Sequence, residues 1–98
     1  RLLRAHPEIG ERRIEAPVAI RYPRATAKPG TPGAPALRTG RAWLRRRGRG
    51  TAILAFGTVV EEALAVAAAL DASVYDMRFV KPLDETTVLA AAASHTLV

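Results

Sequence analysis

An α/β fold with a parallel sheet is predicted for the second half of this sequence, on three observations. An almost fully apolar run, "TAILAF", is followed by a stretch of helical period, "TVVEEALAVAAAL". A second strand-like run, "ASVYDMRF", precedes another alanine-rich helical stretch, "ETTVLAAAASH". The closing "TLV" reads as the opening of one more strand. Strand, helix, strand, helix, strand is the order that a parallel sheet covered by helices requires.

Each element has its own justification. Residues 1–13 read as the end of an amphipathic helix broken near Pro7 and Gly10. In "PVAIRYPRATAKPG", Val18, Ala19 and Ile20 read as a buried strand over residues 17–23. The following prolines and glycine stop it. From Ala25 to about Gly40 the chain is rich in Pro, Gly, Ala and Thr without periodicity, a surface linker between two domains. "RAWLRRRGRGTAILAFG" then reads as a hairpin, two strands flanking Gly48-Arg49-Gly50. Its second strand, Thr51 to Phe56, is apolar enough to be central. Gly57 ends that strand, and Thr58 with Glu61 fits a capping box. Val60, Leu64, Ala67 and Ala68 then supply a helical stripe through about Leu70. Asp84 is suited to cap the second helix.

Composition narrows the class. The chain has 98 residues, 49% hydrophobic and 24% charged, which is a globular rather than a disordered balance. Much of the apolar content is alanine, which buries little area, so a thin core is expected, one that packs against more protein. Cysteine is absent, excluding disulfides and thiolate chemistry. The longest apolar stretch is interrupted by Gly57, Glu61 and Glu62, so no membrane span is expected. "RLLRAHPEIGERR" lacks a signal-peptide core, and an opening arginine suggests the middle of a longer protein.

Net charge is +6, and Arg38, Arg41, Arg45, Arg46, Arg47 and Arg49 concentrate it. They could contact phosphate backbones, but only Trp43 accompanies them, and a solvated edge is the plainer reading. "GRGTAI" lacks the third glycine of a dinucleotide fingerprint and precedes a strand instead of following one. "FGTVVEE" places Glu61 and Glu62 where an anion would sit, which makes it a structural cap. His6 and His95 have no metal spacing and no nucleophile beside them, so both read as structural. Asp76 and Asp84 with Arg78 and Lys81 read as an internally paired set. Arg21 and Arg24, at the end of the first strand, remain. Residues three apart on a strand face opposite ways, so the two should not form one clamp. A guanidinium at a strand end of an α/β sheet nevertheless suits a phosphate or carboxylate.

"PVAIRYPR", "LAFGTVVEEAL" and "VYDMRFVKPLDE" together closely resemble the 1-deoxy-D-xylulose-5-phosphate synthase family, a transketolase-like, thiamine-diphosphate-dependent group. The resemblance runs from about residue 16 to Val98, and the "RYPR" element points to the synthases specifically. It implies that residues 1–27 end a pyrimidine-binding domain, that 28–40 are a linker, and that 41–98 begin a transketolase C-terminal domain whose parallel sheet is incomplete. It further implies condensation of pyruvate with glyceraldehyde 3-phosphate and loss of carbon dioxide, in isoprenoid precursor biosynthesis, with thiamine diphosphate and magnesium as cofactors of the complete enzyme. Arg24 would hold the phosphate of the aldehyde, with Tyr22 and Arg21 supporting it. No catalytic residue, cofactor ligand or metal ligand is expected in this chain, and alone it is expected to be inactive. The complete enzyme is expected to be a cytoplasmic homodimer, with no membrane and no nucleic acid as partner. Ala25 departs from the family's glycine after "RYPR". "RFVKPLDE" alone is shared with 2-oxoacid dehydrogenase β subunits, which stay the enzyme alternative; a basic nucleic-acid-binding module is the other.

Overall fold

The computed structural model describes residues 17–24, 26 and 30–98. The helix expected over residues 1–13 and the departure at Ala25 lie outside the described residues. Two units divide the chain, Arg1–Thr39 and Gly40–Val98. In the first, residues 17–24 form neither strand nor helix, and all but Ile20 are exposed. The strand expected over 17–23 is therefore not formed. A strand requires a pairing partner for its backbone, and Pro17 and Pro23 each remove a donor that such pairing would use.

The second unit holds the fold. Strand β1 spans Trp43–Arg46, β2 Ala52–Ala55, helix α1 Val60–Leu70, β3 Ser73–Asp76 and helix α2 Glu85–Ser94. The sheet order is β1-β3-β2. β2 and β3 are parallel, in the register Ala52↔Ser73 to Ala55↔Asp76, as strand–helix–strand connections require. β1 lies antiparallel to β3, so the three-stranded sheet is mixed. The expected hairpin is also corrected. β3 enters between β1 and β2, and it, not the more apolar β2, takes the centre of the three.

Close approach explains why no hairpin forms. A Cβ at Gly48 would collide with the Asp71 carbonyl and the Ala72 backbone, so the glycine lets the segment after β1 pass directly against the end of α1. Arg49 N donates there to the Asp71 carbonyl at 2.7 Å. The outer edge of β2 meets the last residues of the chain: Thr51 bridges Leu97 in parallel, and Ala52 N donates to the Leu97 carbonyl at 2.8 Å. The expected start of a further strand at "TLV" thus lies where such a strand belongs.

Adjacent residues of β3 divide the core between two faces. Val74 packs with Ala67 and Ala72, bordered by Ile53, Ala63 and Leu64, so α1 covers this face. Ser73 points the other way and meets His95 at the end of α2. The core is thin, as the alanine content implies: Met77 and Val74 are its largest fully buried apolar side chains. The helices start differently. α1 follows a short 3-10 turn, Gly57–Val59, and has no side-chain cap, so the expected capping box at Thr58 is not made. Gly57 at φ 72° turns the chain out of β2 instead. α2 is capped by Asp84 as expected.

Candidate functional site

Arg21, Tyr22 and Arg24 lie in one exposed segment of the first unit, and Tyr22 keeps 74% of its surface. Without a strand, the alternation that would have set the two guanidiniums on opposite faces does not operate. A short "RYPR" stretch in this form carries two planar cations on exposed residues, a chemistry suited to a phosphate.

The arginines of the second unit are placed otherwise. Arg45 sits at a bulge in β1, where the register with β3 shifts between Leu44 and Arg46. Its guanidinium stacks over Trp43 at 4.7 Å from the ring centroid and lies 3.6 Å from the Glu61 carboxylate. Arg46 donates to the Ala72 carbonyl at 2.7 Å and pairs with Asp71 at 3.1 Å. Arg78 stacks on the same Trp43 ring at 5.1 Å. Arg47 and Arg49 are exposed. β1 being the last strand on its side, the basic strip is a charged sheet edge, in line with the plainer expectation, although in part it is paired with the fold.

Within the set Asp76, Arg78, Lys81 and Asp84, both carboxylates are held by groups inside the fold. Asp76 accepts from the backbone N–H of Arg78 at 3.2 Å. Asp84, 6% exposed, accepts from Ala42 N at 2.8 Å, Thr87 N at 3.1 Å and Thr87 Oγ1 at 2.8 Å. The Ala42 N–H, above all, holds its carboxyl below the ordinary value; the Thr87 bonds and the Arg41 charge add to this, while burial opposes it. One carboxylate thus caps α2 and fastens the entrance of β1 across 42 residues of sequence. The cap was legible in "LDETT"; the grip on Ala42 was not, because nothing local marks a long-range backbone partner. His95 was expected to be structural, and it hydrogen-bonds Ser73 Oγ at 2.8 Å.

An open groove of about 460 Å³ runs between β2 and α1, lined by Ile53, Phe56, Val59, Ala63 and Val66 with Glu62 at its rim. It has apolar walls and a single ionisable group, too little for a reaction centre. Among the described residues no three His, Cys, Asp or Glu side chains are grouped to hold a metal ion, and no helix is long and apolar enough to cross a membrane.

The profile of the transketolase C-terminal domain matches residues 40–98, the whole of the second unit. The chain belongs to that family. The match explains the mixed three-stranded sheet with its helices as part of the family's α/β domain. Similarity to known proteins also extends upstream of the domain. The chain is 52% identical over 88 residues to a 1-deoxy-D-xylulose-5-phosphate synthase of Thioalkalivibrio sulfidiphilus, covering 87% of the chain and 14% of that protein. Proteins of the same name in Pseudomonas syringae and Chromobacterium violaceum are 54% identical over 84 residues and 50% over 91. They cover 84% and 87% of the chain, and 13% and 14% of their own lengths. The chain therefore spans about one seventh of these relatives. Its similarity is to a segment of the synthases and favours neither the dehydrogenase subunit nor the nucleic-acid module.

Proposed function

We propose that the complete protein containing this sequence is a 1-deoxy-D-xylulose-5-phosphate synthase, a thiamine-diphosphate-dependent transferase that joins pyruvate to glyceraldehyde 3-phosphate with loss of carbon dioxide. The observation that carries the reading is identity near one half over 84–87% of the chain, which takes in more than the matched C-terminal domain. Residues 1–27 end the pyrimidine-binding domain, 28–40 link, and 41–98 begin the C-terminal domain. Arg24 holds the aldehyde's phosphate through charge-assisted bonds, and Arg21 and Tyr22 support it. The exposure of all three side chains in this chain is compatible with that task.

Thiamine diphosphate, held with magnesium, supplies the carbanion chemistry of such an enzyme. Among the described residues no three His, Cys, Asp or Glu side chains are grouped to hold magnesium, and its ligands are assigned to other parts of the complete protein. The complete enzyme works as a cytoplasmic homodimer in making isoprenoid precursors.

Carbon dioxide release and sugar-phosphate formation by the purified complete protein test the reading. Product that requires both pyruvate and glyceraldehyde 3-phosphate is expected, with no turnover by the 98-residue chain alone. Absence of the sugar phosphate under those conditions refutes the assignment.

A further inference from the structure

Gly48, Ser73 and His95 belong to three separate segments, yet they meet in one run of hydrogen bonds. Oγ of Ser73, 2% exposed, lies 2.9 Å from Gly48 N and 2.8 Å from His95 Nε2. On the other side of the ring, His95 Nδ1 lies 3.0 Å from the Ala91 carbonyl and 3.0 Å from Ser94 Oγ. Proton positions follow from what each partner can do. The Gly48 N–H only donates, so Ser73 Oγ accepts from it. The Ala91 carbonyl only accepts, so Nδ1 carries a proton. Ser94 Oγ donates to the Ala90 carbonyl at 2.8 Å and so accepts from the same Nδ1–H. Nε2 is left bare and receives the Ser73 hydroxyl proton. Every donor in the run has an acceptor only while the imidazole is neutral.

We propose that His95 is a protonation-gated clip: its neutral ring holds the Ser73 hydroxyl and, through it, the β1–β2 connection at Gly48, and a proton on Nε2 releases them. Two ends of the ring respond oppositely. At the α2 end, Nδ1–H keeps its bond to the Ala91 carbonyl in both states. At the β3 end, a protonated Nε2 takes the second lone pair of the Ser73 oxygen, and the hydroxyl must turn its own proton away from the ring. Ser73 is buried, so no water replaces the acceptor its own proton loses.

The charged and titratable surroundings do not cancel this. From β3, the Tyr75 ring meets His95 edge-on at 6.5 Å between centroids. Arg47 and Arg49 flank Gly48 in the connection, and Arg46 of β1 is tied to Asp71. α2 contributes the Ala91 carbonyl and the neutral Ser94. Among the described residues, no carboxylate is hydrogen-bonded to the ring to hold it charged. The release is felt at Gly48 and not at the start of α2, where Thr87 N is held by Asp84.

The test is NMR on the complete protein, with only this 98-residue segment ¹⁵N-labelled by segmental ligation and carrying His6→Gln, which leaves His95 as the single labelled imidazole. At pH 8 the ring nitrogens should report the neutral Nδ1–H form. As His95 titrates, hydrogen-exchange protection of the Gly48 amide, corrected for intrinsic rates, should fall at least tenfold while that of Thr87 stays level. In Ser73→Ala, Gly48 protection should be low already and independent of His95 titration. The tautomer and the Gly48 response in the parent chain decide the matter even if Ser73→Ala does not fold. An Nε2–H or cationic ring at pH 8, or Gly48 protection unchanged while His95 titrates, overturns the proposal.

Discussion

Arginine is used in two ways in this molecule. Between residues 41 and 49 the chain carries five, and the fold takes in Arg45, on Trp43 and beside Glu61, and Arg46, on Ala72 and Asp71. Between residues 17 and 24 it carries two, on an exposed segment without regular structure. The denser cluster is the more eye-catching in sequence, and it is the one engaged with its own domain. Charge density alone therefore does not tell which arginines the fold engages. What engages Arg45 and Arg46 is a carbonyl, carboxylate or ring that only the fold brings within reach.

The largest expected effect breaks the folded region at its tightest point. Gly48→Ala must push a methyl into the backbone of Asp71 and Ala72, and neither is a side chain that can swing away. Such overpacking should cost about 3 kcal/mol or more, which is enough to unfold a unit with so thin a core. Gly30→Ala, in the other region, meets nothing within 4 Å and should leave thermal unfolding unchanged. Equal tolerance of both substitutions would mean that residues 46–50 do not pass against 71–72 as described.

Next in size is Arg24→Ala in the complete protein. If Arg24 holds the aldehyde's phosphate, losing a charge-assisted contact should cost roughly 1.5–3 kcal/mol, or about 10- to 150-fold in KM for glyceraldehyde 3-phosphate. KM for pyruvate and the melting temperature should hardly move. Arg24→Lys should recover part of the loss, because a point charge replaces a fork. Equal weakening of both substrates with a lowered melting temperature would make Arg24 a structural arginine like Arg46, and the contrast between the two regions would vanish.

Asp84 gives an effect of middle size with a pH signature. Its folded-state value is lowered from the ordinary 3.8, so it binds a proton less readily when folded than when unfolded. The stability it contributes is full above the ordinary value and is lost as pH falls through the lowered one. Asp84→Asn should accordingly flatten the acid limb of the stability curve. Asp84→Ala should cost about 1–2 kcal/mol at neutral pH for the cap alone, with a further loss from the orphaned Ala42 N–H. Chemical denaturation between pH 2 and 7 measures both. An unchanged acid limb in Asp84→Asn would show that the carboxylate does not hold Ala42.

What was legible in the sequence was local. Helical period, the Asp84 cap and the strand runs at "AILA" and "SVYD" each depend on neighbours within a few residues, and each is found in the structure. What failed was pairing. The Gly48-Arg49-Gly50 stretch carries the residues of a hairpin turn, and only the insertion of β3 between β1 and β2 shows that it is a passing strand connection. The apolar run at Val18–Ile20 likewise satisfies strand propensity, but propensity without a partner edge does not make a strand. The "RYPR" stretch was legible as chemistry and by resemblance, whereas the Ser73–His95–Gly48 run joins residues 22 and 25 apart and has no local mark.

The smallest expected effect sharpens how far the folded region holds its arginines. Glu61 is half exposed and lies 3.6 Å from Arg45, whose side chain is 13% exposed. A pair of that length with one partner in solvent should contribute about 0.2–1 kcal/mol, less at high salt. Stacking on Trp43 should add a similar amount and resist salt, since the ring face and the buried guanidinium are shielded from ions. Glu61→Gln should therefore lower stability slightly at low salt and hardly at all at 1 M. Trp43→Leu should lower it at both, by lost packing as well as lost stacking. A double-mutant cycle over Arg45→Met and Glu61→Gln isolates the ion pair from the rest. A coupling near zero at low salt would leave Arg45 held by Trp43 alone; a coupling above about 1 kcal/mol that survives high salt would make it a buried ion pair, at odds with the exposure of Glu61.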